Sequence, residues 1–327
     1  MRYESLLHAI GNTPLVKIDL QTECSIYAKM EHLNPSGSLK DRPALYMIEQ
    51  AEKNGDLKPG GTIIDASSGN YGISLAMIGA LKGYEVIICV PDRTSTEKQE
   101  TIKAYGAKLI VCKDMGGDDA GHSYHTLAEK LHKEIPNSFM PNQYLNVLNA
   151  DAYYYSAGPE IWRQTQGTIT HFIAGAGTCG TISGVGRYLK EQNPDIKIIG
   201  IDSPNSFHAT KGNPKPYQIE GIGIDLDSPV VDYSVIDEIV NVSDEDAFSY
   251  VPHLARTSGL LVGLSSGAVA FAATRYCKQL SKDACVVIIF GDSGRAYLSK
   301  VFAQKDTTVQ SNRVREQKAS RTPELNS

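Results

Sequence analysis

Short apolar runs alternate with longer stretches of helical pattern along most of the chain. TIID, EVIICV and KLIV read as strands, separated by the helix-like YGISLAMIGALKG and STEKQETIKAYG. HFIAG, KIIGID and VVIIF repeat the rhythm, with helical patterns at GTISGVGRYLKEQ and SSGAVAFAATRYCKQL. Apolar runs of this kind are strands covered on both faces, and parallel neighbours need a long crossover, usually a helix. The expected fold class is therefore α/β, with mostly parallel twisted sheets flanked by helices. A chain of 327 residues is long for one core, and two such blocks are visible. They meet at the polar stretch PNQYLNVLNADAYYYSAG, which reads as the crossing between domains. The expected division is a smaller domain over residues 40–144 and a larger one made from 1–39 and 145–305. In the second block, SDEDAFSYVPHLARTSG reads as a helix opened by Ser243, with Asp246 completing a capping box and Gly259 as its stop. Beyond Phe302 apolar residues almost vanish, so residues 306–327 are expected to form a disordered tail.

Charge and composition narrow the function classes. A formal net charge of −5 gives no electrostatic reason to expect nucleic acid or an anionic membrane as partner. No apolar stretch approaches the roughly 18 residues of a membrane helix. MRYESLLHAIGNTPL lacks the basic start and apolar centre of a signal peptide. The six cysteines form no C-x-x-C pair, and several lie in apolar runs, as buried reduced thiols do. A cytoplasmic location is expected.

Four stretches carry chemistry. GAGTCG, residues 175–180, fits G-x-G-x-x-G after a strand and before a helix, with Asp202 closing the next strand. That is the written rule for a dinucleotide site, but its glycines and hydroxyls would serve any phosphate. In NPSGSLKDRPALYMIEQAEKNG a turn delivers Lys40 to the start of a helix. The positive end of the helix dipole there favours the neutral amine, the form that makes a Schiff base. The bland alternative is a solvated lysine at an ordinary junction. DASSGNYG, residues 65–72, places small residues and Asn70 at a helix start, fit either for an anion or for simple capping. GLSSGAVA, residues 263–270, allows the same two readings, with Ser265 or Ser266 as the cap. The pair His122 and His125, near Asp118 and Asp119, reads as a polar helix start rather than a metal site.

Together, IGNTPLV, NPSGSLKDR, SSGN, GPEIW, EGIG, GLSSGA and DSGRAYLS stand in one order, and in that order they resemble a single family. It is the pyridoxal-phosphate β-replacement enzymes of fold type II, which include cysteine synthases and cystathionine β-synthases. The likeness runs from HAIGNTPLVKI to GDSGRAYLSKVF, nearly the whole chain except the tail. It implies pyridoxal 5'-phosphate in the cleft between two domains, held by Lys40 as an internal aldimine. Asn70 would bond the ring's phenolic oxygen, and Gly177, Thr178, Cys179, Gly180 and Thr181 would cup the phosphate. Ser265 would face the pyridine nitrogen. Ser67, Ser68, Gly69 and Asn70, with Gln143, would receive the substrate carboxylate. No metal is implied; the partners would be small amino-acid substrates and a second copy of the chain in a homodimer.

The implied reaction is β-replacement on an activated L-serine through an aminoacrylate. The leading form is a cysteine synthase, joining O-acetylserine and sulfide into cysteine. EGIG, with Glu220, and the pair Gln143–Tyr144 lean toward a cystathionine β-synthase. KDRP, NQY and the residue at 71 lean toward a diaminopropionate-precursor synthase using O-phosphoserine and an amino donor. The chain departs from the family at Tyr71, usually threonine, and at Cys179, usually glycine. It departs again where NVLN and YYYSAGPE replace NPxN and HYxTTGPE. The Tyr71 and YYYSAG changes bear on the substrate rather than on the reaction class.

Overall fold

A computed structural model describes residues 2–67, 69–113 and 123–303. The chain opens with an antiparallel pair, β1 (Leu15–Ile18) and β2 (Ser25–Met30). It then leaves that pair to build a second sheet from β3 (Thr62–Ala66), β4 (Glu85–Pro91), β5 (Lys108–Cys112) and β6 (Ser138–Phe139). It returns through β7 (His171–Gly175), β8 (Lys197–Asp202), β9 (Glu238–Asn241) and β10 (Cys285–Phe290). The two sheets have strand orders β5-β4-β3-β6 and β1-β2-β10-β7-β8-β9, and every pair except β1–β2 is parallel. All six apolar runs named above are strands, and the alternation with helices gives the parallel sheets that it demands.

Side-chain alternation shows why these strands had to be apolar throughout. Along β10, Val286, Ile288 and Phe290 enter one core while Val287 and Ile289 enter another. The first core lies under α8 (Asp244–Ser258) and α9 (Leu264–Tyr276). The second lies under α6 (Ala157–Gln164) and α7 (Gly180–Gln192), joined by Tyr153 of α5 (Leu148–Tyr154). In the smaller sheet Ile63 and Ile88 pack on α1 (Asp41–Asn54), α2 (Asn70–Lys82) and α3 (Thr96–Ala104). Ile64, Ala66 and Ile87 face α4 (Tyr124–Glu134) instead. A polar residue at any of these positions would lose roughly 1.5–3 kcal/mol of burial. Ser243 caps α8 by accepting from the Asp246 N–H, and Gly259 ends it in the left-handed region, as the sequence requires.

The crossing stretch is not loop throughout, since residues 148–154 form α5 against α1 and α7. His122, Asp118, Asp119 and the tail 306–327 lie outside the described residues, while His125 sits in the first turn of α4 behind its Ser123 cap. Parallel strands all point their carboxyl ends one way, and that end is where α/β sheets bind ligands. Here β3 runs on to Ser67, ahead of Gly69 and Asn70, β7 into Gly177–Thr181 and β10 into Asp292.

Candidate active site

Lys40 stands at the N-cap of α1, and its turn is built to put it there. Buried Asp41 accepts from the Ser36 N–H at 2.8 Å and from the Ser74 hydroxyl at 2.6 Å, so the Pro-Ser-Gly-Ser turn folds back on the helix start. Gly37, at φ +94°, makes the reversal. The backbone just ahead is pinned from both sides. Leu39 donates its N–H to Gly291 O at 2.8 Å and accepts from the Tyr153 hydroxyl at 3.0 Å. Lys40 Nζ then reaches across the cleft and donates to Thr178 Oγ1 at 3.3 Å. Crowding by protein atoms pushes this ammonium down to about 8, although Cys179 and Asp292 pull weakly the other way. The cause is mainly desolvation, a larger effect than the dipole placement that the sequence suggests.

Thr178 belongs to the turn that enters α7. Among the described residues, none accepts from the backbone N–H groups of Gly177, Thr178, Cys179, Gly180 or Thr181. Five amides without acceptors at a helix start are available to an anion such as a phosphate. The glycines are there for close approach. A Cβ on Gly180 would lie 2.1 Å from Asn149 Oδ1, and one on Gly177 would lie 2.8 Å from Gly221 O. Asn149 donates to both Thr178 Oγ1 (3.0 Å) and Gln143 O (2.7 Å), tying the phosphate turn to the Gln143 arm. Cys179 sits at φ +62°, where glycine is the relaxed choice, and its buried thiol is pushed up to about 12. Its Sγ donates back to Gly177 O at 3.6 Å. The thiol thus stays protonated and turns back on its own loop.

Asn70 opens α2 behind Gly69, whose φ of +133° only glycine tolerates. Its Nδ2 donates to Asp292 Oδ2 at 2.7 Å. Ser67 is buried and its Oγ already accepts from the N–H groups of Gly69 (3.1 Å) and Gly72 (3.0 Å), so it shapes the loop. Ser68 lies outside the described residues. Gln143 is buried with its Oε1 unpartnered. Ser265 lies in the first turn of α9 with its Oγ 3.2 Å from a Cβ built on Gly221. The capping alternative for this serine pair does not hold: Gly263 is the cap, and Ser266 Oγ accepts from the Gly291 N–H at 3.1 Å.

Two expectations change, and the dinucleotide alternative falls away. Tyr71 does not face a substrate; it is buried between α1 and α2 with its hydroxyl on Met47 Sδ at 3.1 Å. Of the three tyrosines in YYYSAG, Tyr153 holds the backbone before Lys40, while Tyr155 is exposed on the surface. Asp202 cannot bind a ribose, because its buried carboxylate already accepts from Ser203 N (2.7 Å), Ile224 N (3.1 Å) and Ser206 Oγ (2.6 Å). The acid that the dinucleotide rule assigns to a ribose is thus already occupied within its own loop.

The residues fit one kind of guest. A lysine poised to be neutral faces a phosphate cup, between two parallel sheets, with a serine hydroxyl and an amide-bearing helix start alongside. This defines an enzyme that holds a phosphorylated aldehyde through a Schiff base. Residues 6–292 match the family model for the pyridoxal-phosphate-dependent enzymes, and the chain belongs to that family. It is 44% identical over 308 residues to cystathionine β-synthase of Apis mellifera, covering 91% of this chain and 61% of that protein. It is 41% identical over 306 residues to cysteine synthase B of Pseudomonas aeruginosa, covering 91% of this chain and 97% of that one. Among solved structures it is similar to the O-acetylserine-dependent cystathionine β-synthase of Helicobacter pylori, at a TM-score of 0.84 and 40% identity, covering 92% of this chain and 98% of that one. The chain thus spans about three-fifths of the length of the first cystathionine β-synthases it matches.

Lys40 yields a pH prediction. With its folded value near 8, the neutral amine rises from about a tenth at pH 7 to about nine-tenths at pH 9. Covalent capture of pyridoxal phosphate by the apo-protein, followed by stopped-flow absorbance, should rise about ten-fold over that range and then level off. An ordinary lysine would give a log-linear rise with no plateau below pH 10.

Proposed function

We propose that the protein catalyses β-replacement on an activated L-serine, in the form of a cysteine synthase that joins O-acetylserine and sulfide. The observation that carries this reading is Lys40 Nζ, lowered toward neutrality and placed 3.3 Å from the hydroxyl of the phosphate turn. Bound pyridoxal phosphate supplies an electron sink for negative charge at the Cα of an attached amino acid. Lys40 holds the cofactor, is displaced by the incoming amine, takes the Cα proton as general base and returns it at the end. Ser265 gives the ring nitrogen a hydroxyl partner instead of a carboxylate. With a hydroxyl there, Ser265 would leave the bound ring a weaker sink than a carboxylate would, which would favour prompt loss of the β-substituent. The Asn70 backbone N–H and the Gln143 amide would receive the substrate carboxylate, while Gly69, its N–H held by Ser67 Oγ, turns the loop that Ser67 shapes.

The closing contacts support exclusion of water during that step. From the smaller sheet's side, Lys98 donates to Glu220 Oε2 at 2.6 Å and to the Tyr297 hydroxyl at 2.9 Å, and Ser95 donates to Ala296 O at 2.8 Å. The methylene stem of Lys98 also lies against Gly69, so the cation beside the carboxylate loop is already paired. A loop whose neighbouring ammonium is already paired suits the neutral acetyl ester better than the doubly charged O-phosphoserine. Glu220 is likewise paired, with Lys98 and with Lys300 at 2.8 Å, which competes with a role in recognising homocysteine.

The test is a matrix of O-acetylserine, O-phosphoserine and serine against sulfide, homocysteine and amino donors, read by mass spectrometry of the products. Cysteine from O-acetylserine and sulfide should dominate. Cystathionine as the main product would favour the cystathionine β-synthase reading, and a diamino product from O-phosphoserine the third one. We place the enzyme in the cytoplasm as a homodimer. Its six free thiols suit a reducing compartment, and the exposed Leu145, Val147 and Tyr155 offer an apolar surface for a second copy. No helix among the described residues is long and apolar enough to cross a membrane. Sedimentation velocity should give twice the mass of one chain.

A further inference from the structure

Asp292 is a buried carboxylate that the reaction described above does not use. It follows β10 by two residues, beside Ser38 in an isolated antiparallel bridge, and so adjoins the segment that presents Lys40. One oxygen, Oδ2, accepts from both Asn70 Nδ2 at 2.7 Å and the Tyr297 hydroxyl at 2.5 Å. The other, Oδ1, is buried with no partner and lies 2.0 Å from where a Cβ on Gly263 would stand. A buried carboxylate with one bare oxygen is costly, and few are kept without a reason. The Asn70 bond joins residues 222 apart, from the helix start of the smaller sheet to the strand end of the larger. Tyr297 in turn accepts from Lys98, whose ammonium also pairs with Glu220, so the bond lies inside the contacts that draw the two sheets together.

We propose that Asp292 is a positioning residue for the cofactor: it holds one N–H of Asn70 and thereby aims the amide at the cofactor's phenolic oxygen when the cleft is closed. An amide free to rotate presents its oxygen or its nitrogen, and only the nitrogen donates to a phenolate. Asp292 removes that choice, because a carboxylate accepts only from the nitrogen. Loss of the Asp292 grip should therefore weaken cofactor retention only while Asn70 is present. The inference rests on the placement of Asn70 at the phenolic oxygen.

The test is a double-mutant cycle read on release of the cofactor from the holoenzyme, followed as loss of its visible band on dilution into a cofactor trap. Asn70→Ala should speed release roughly ten-fold, the size of one lost charge-assisted hydrogen bond. Asp292→Asn alone should do about the same. Asp292→Asn added to Asn70→Ala should change the rate less than two-fold further. Equal effects of Asp292→Asn in both backgrounds would overturn the inference and leave the cofactor role of Asn70 intact. An unchanged rate in Asn70→Ala would instead refute that role, and the inference with it. Should Asp292→Asn not fold, Tyr297→Phe decides, because it removes the other donor and leaves the Asn70 bond. Release within three-fold of the parent supports the proposal. Release as fast as in Asn70→Ala places the anchor in the 294–297 turn and contradicts it.

Discussion

Replacing Lys40 by alanine should abolish β-replacement while leaving the fold intact. The lysine carries two tasks in the proposed reaction, holding the cofactor and moving the Cα proton. Positioned acid–base groups alone contribute about 10²–10⁴-fold. A loss of at least about 10³-fold in kcat is therefore expected, together with loss of the absorbance band of the lysine-bound cofactor. Stability should hold, because Nζ donates only to Thr178 Oγ1 among the described residues, and removing a crowded ammonium also removes its desolvation cost. Lys40→Arg should lose as much activity, since a guanidinium does not deprotonate to a nucleophile. Lys98 cannot substitute, being held by Glu220 and Tyr297. Residual turnover within ten-fold of the parent, with normal thermal unfolding, would contradict the assignment.

Arg42→Met should have the opposite profile, a large loss of stability without a direct chemical role. Two residues past Lys40, Arg42 is buried and pairs with two carboxylates at once. Nε donates to Glu31 Oε2 at 2.7 Å and Nη1 to Glu160 Oε1 at 2.7 Å, while Lys29 holds Glu160 Oε2 at 2.7 Å. This quartet of two cations and two anions fastens α1 to β2 and α6. It holds Glu160 down to about 2, because its bonds and charges from Arg42 and Lys29 outweigh burial. Truncating one member of such a buried set costs about 3–5 kcal/mol, since it strands the remaining charges. Tm should fall on the order of 10 °C. The pH dependence follows from the depressed carboxyl. Its contribution is complete above its ordinary value near 4.5 and is lost as pH falls through 2. In the variant, Glu31 and Glu160 lose their shared cation and protonate more readily. The gap between parent and variant should therefore narrow between pH 7 and pH 5. Urea titrations at both pH values check this; a gap below about 1 kcal/mol at pH 7 would show that the quartet is dispensable.

The strands and the site's local turns were legible because each is written in consecutive residues. Apolar runs dictated β3, β4 and β10, and glycine spacing marked the phosphate turn. Contacts between distant segments were not legible. Asp292 carries the same outward sign as Asp202, an acid closing an apolar strand, yet one grips Asn70 across the cleft and the other saturates its own loop. Arg42 and Glu160 stand inside the recognised stretches KDR and GPEIW, but only folding brings together two residues 118 positions apart. Tyr71 misled because its neighbours form a binding loop. Once α2 starts at Asn70, the first helical turn carries residue 71 inward, onto Met47. Ser265 was ambiguous because a serine before a helix usually caps it, whereas here the helix starts earlier, behind Gly263.

The most direct measurement is borohydride reduction of the holoenzyme followed by peptide mass mapping, with and without O-acetylserine. The account predicts a pyridoxyl mass on the peptide containing Lys40. It predicts that O-acetylserine added before reduction removes that mass, because the substrate amine has displaced the lysine. A label on any other lysine, or a Lys40 label that no serine derivative diminishes, would contradict it.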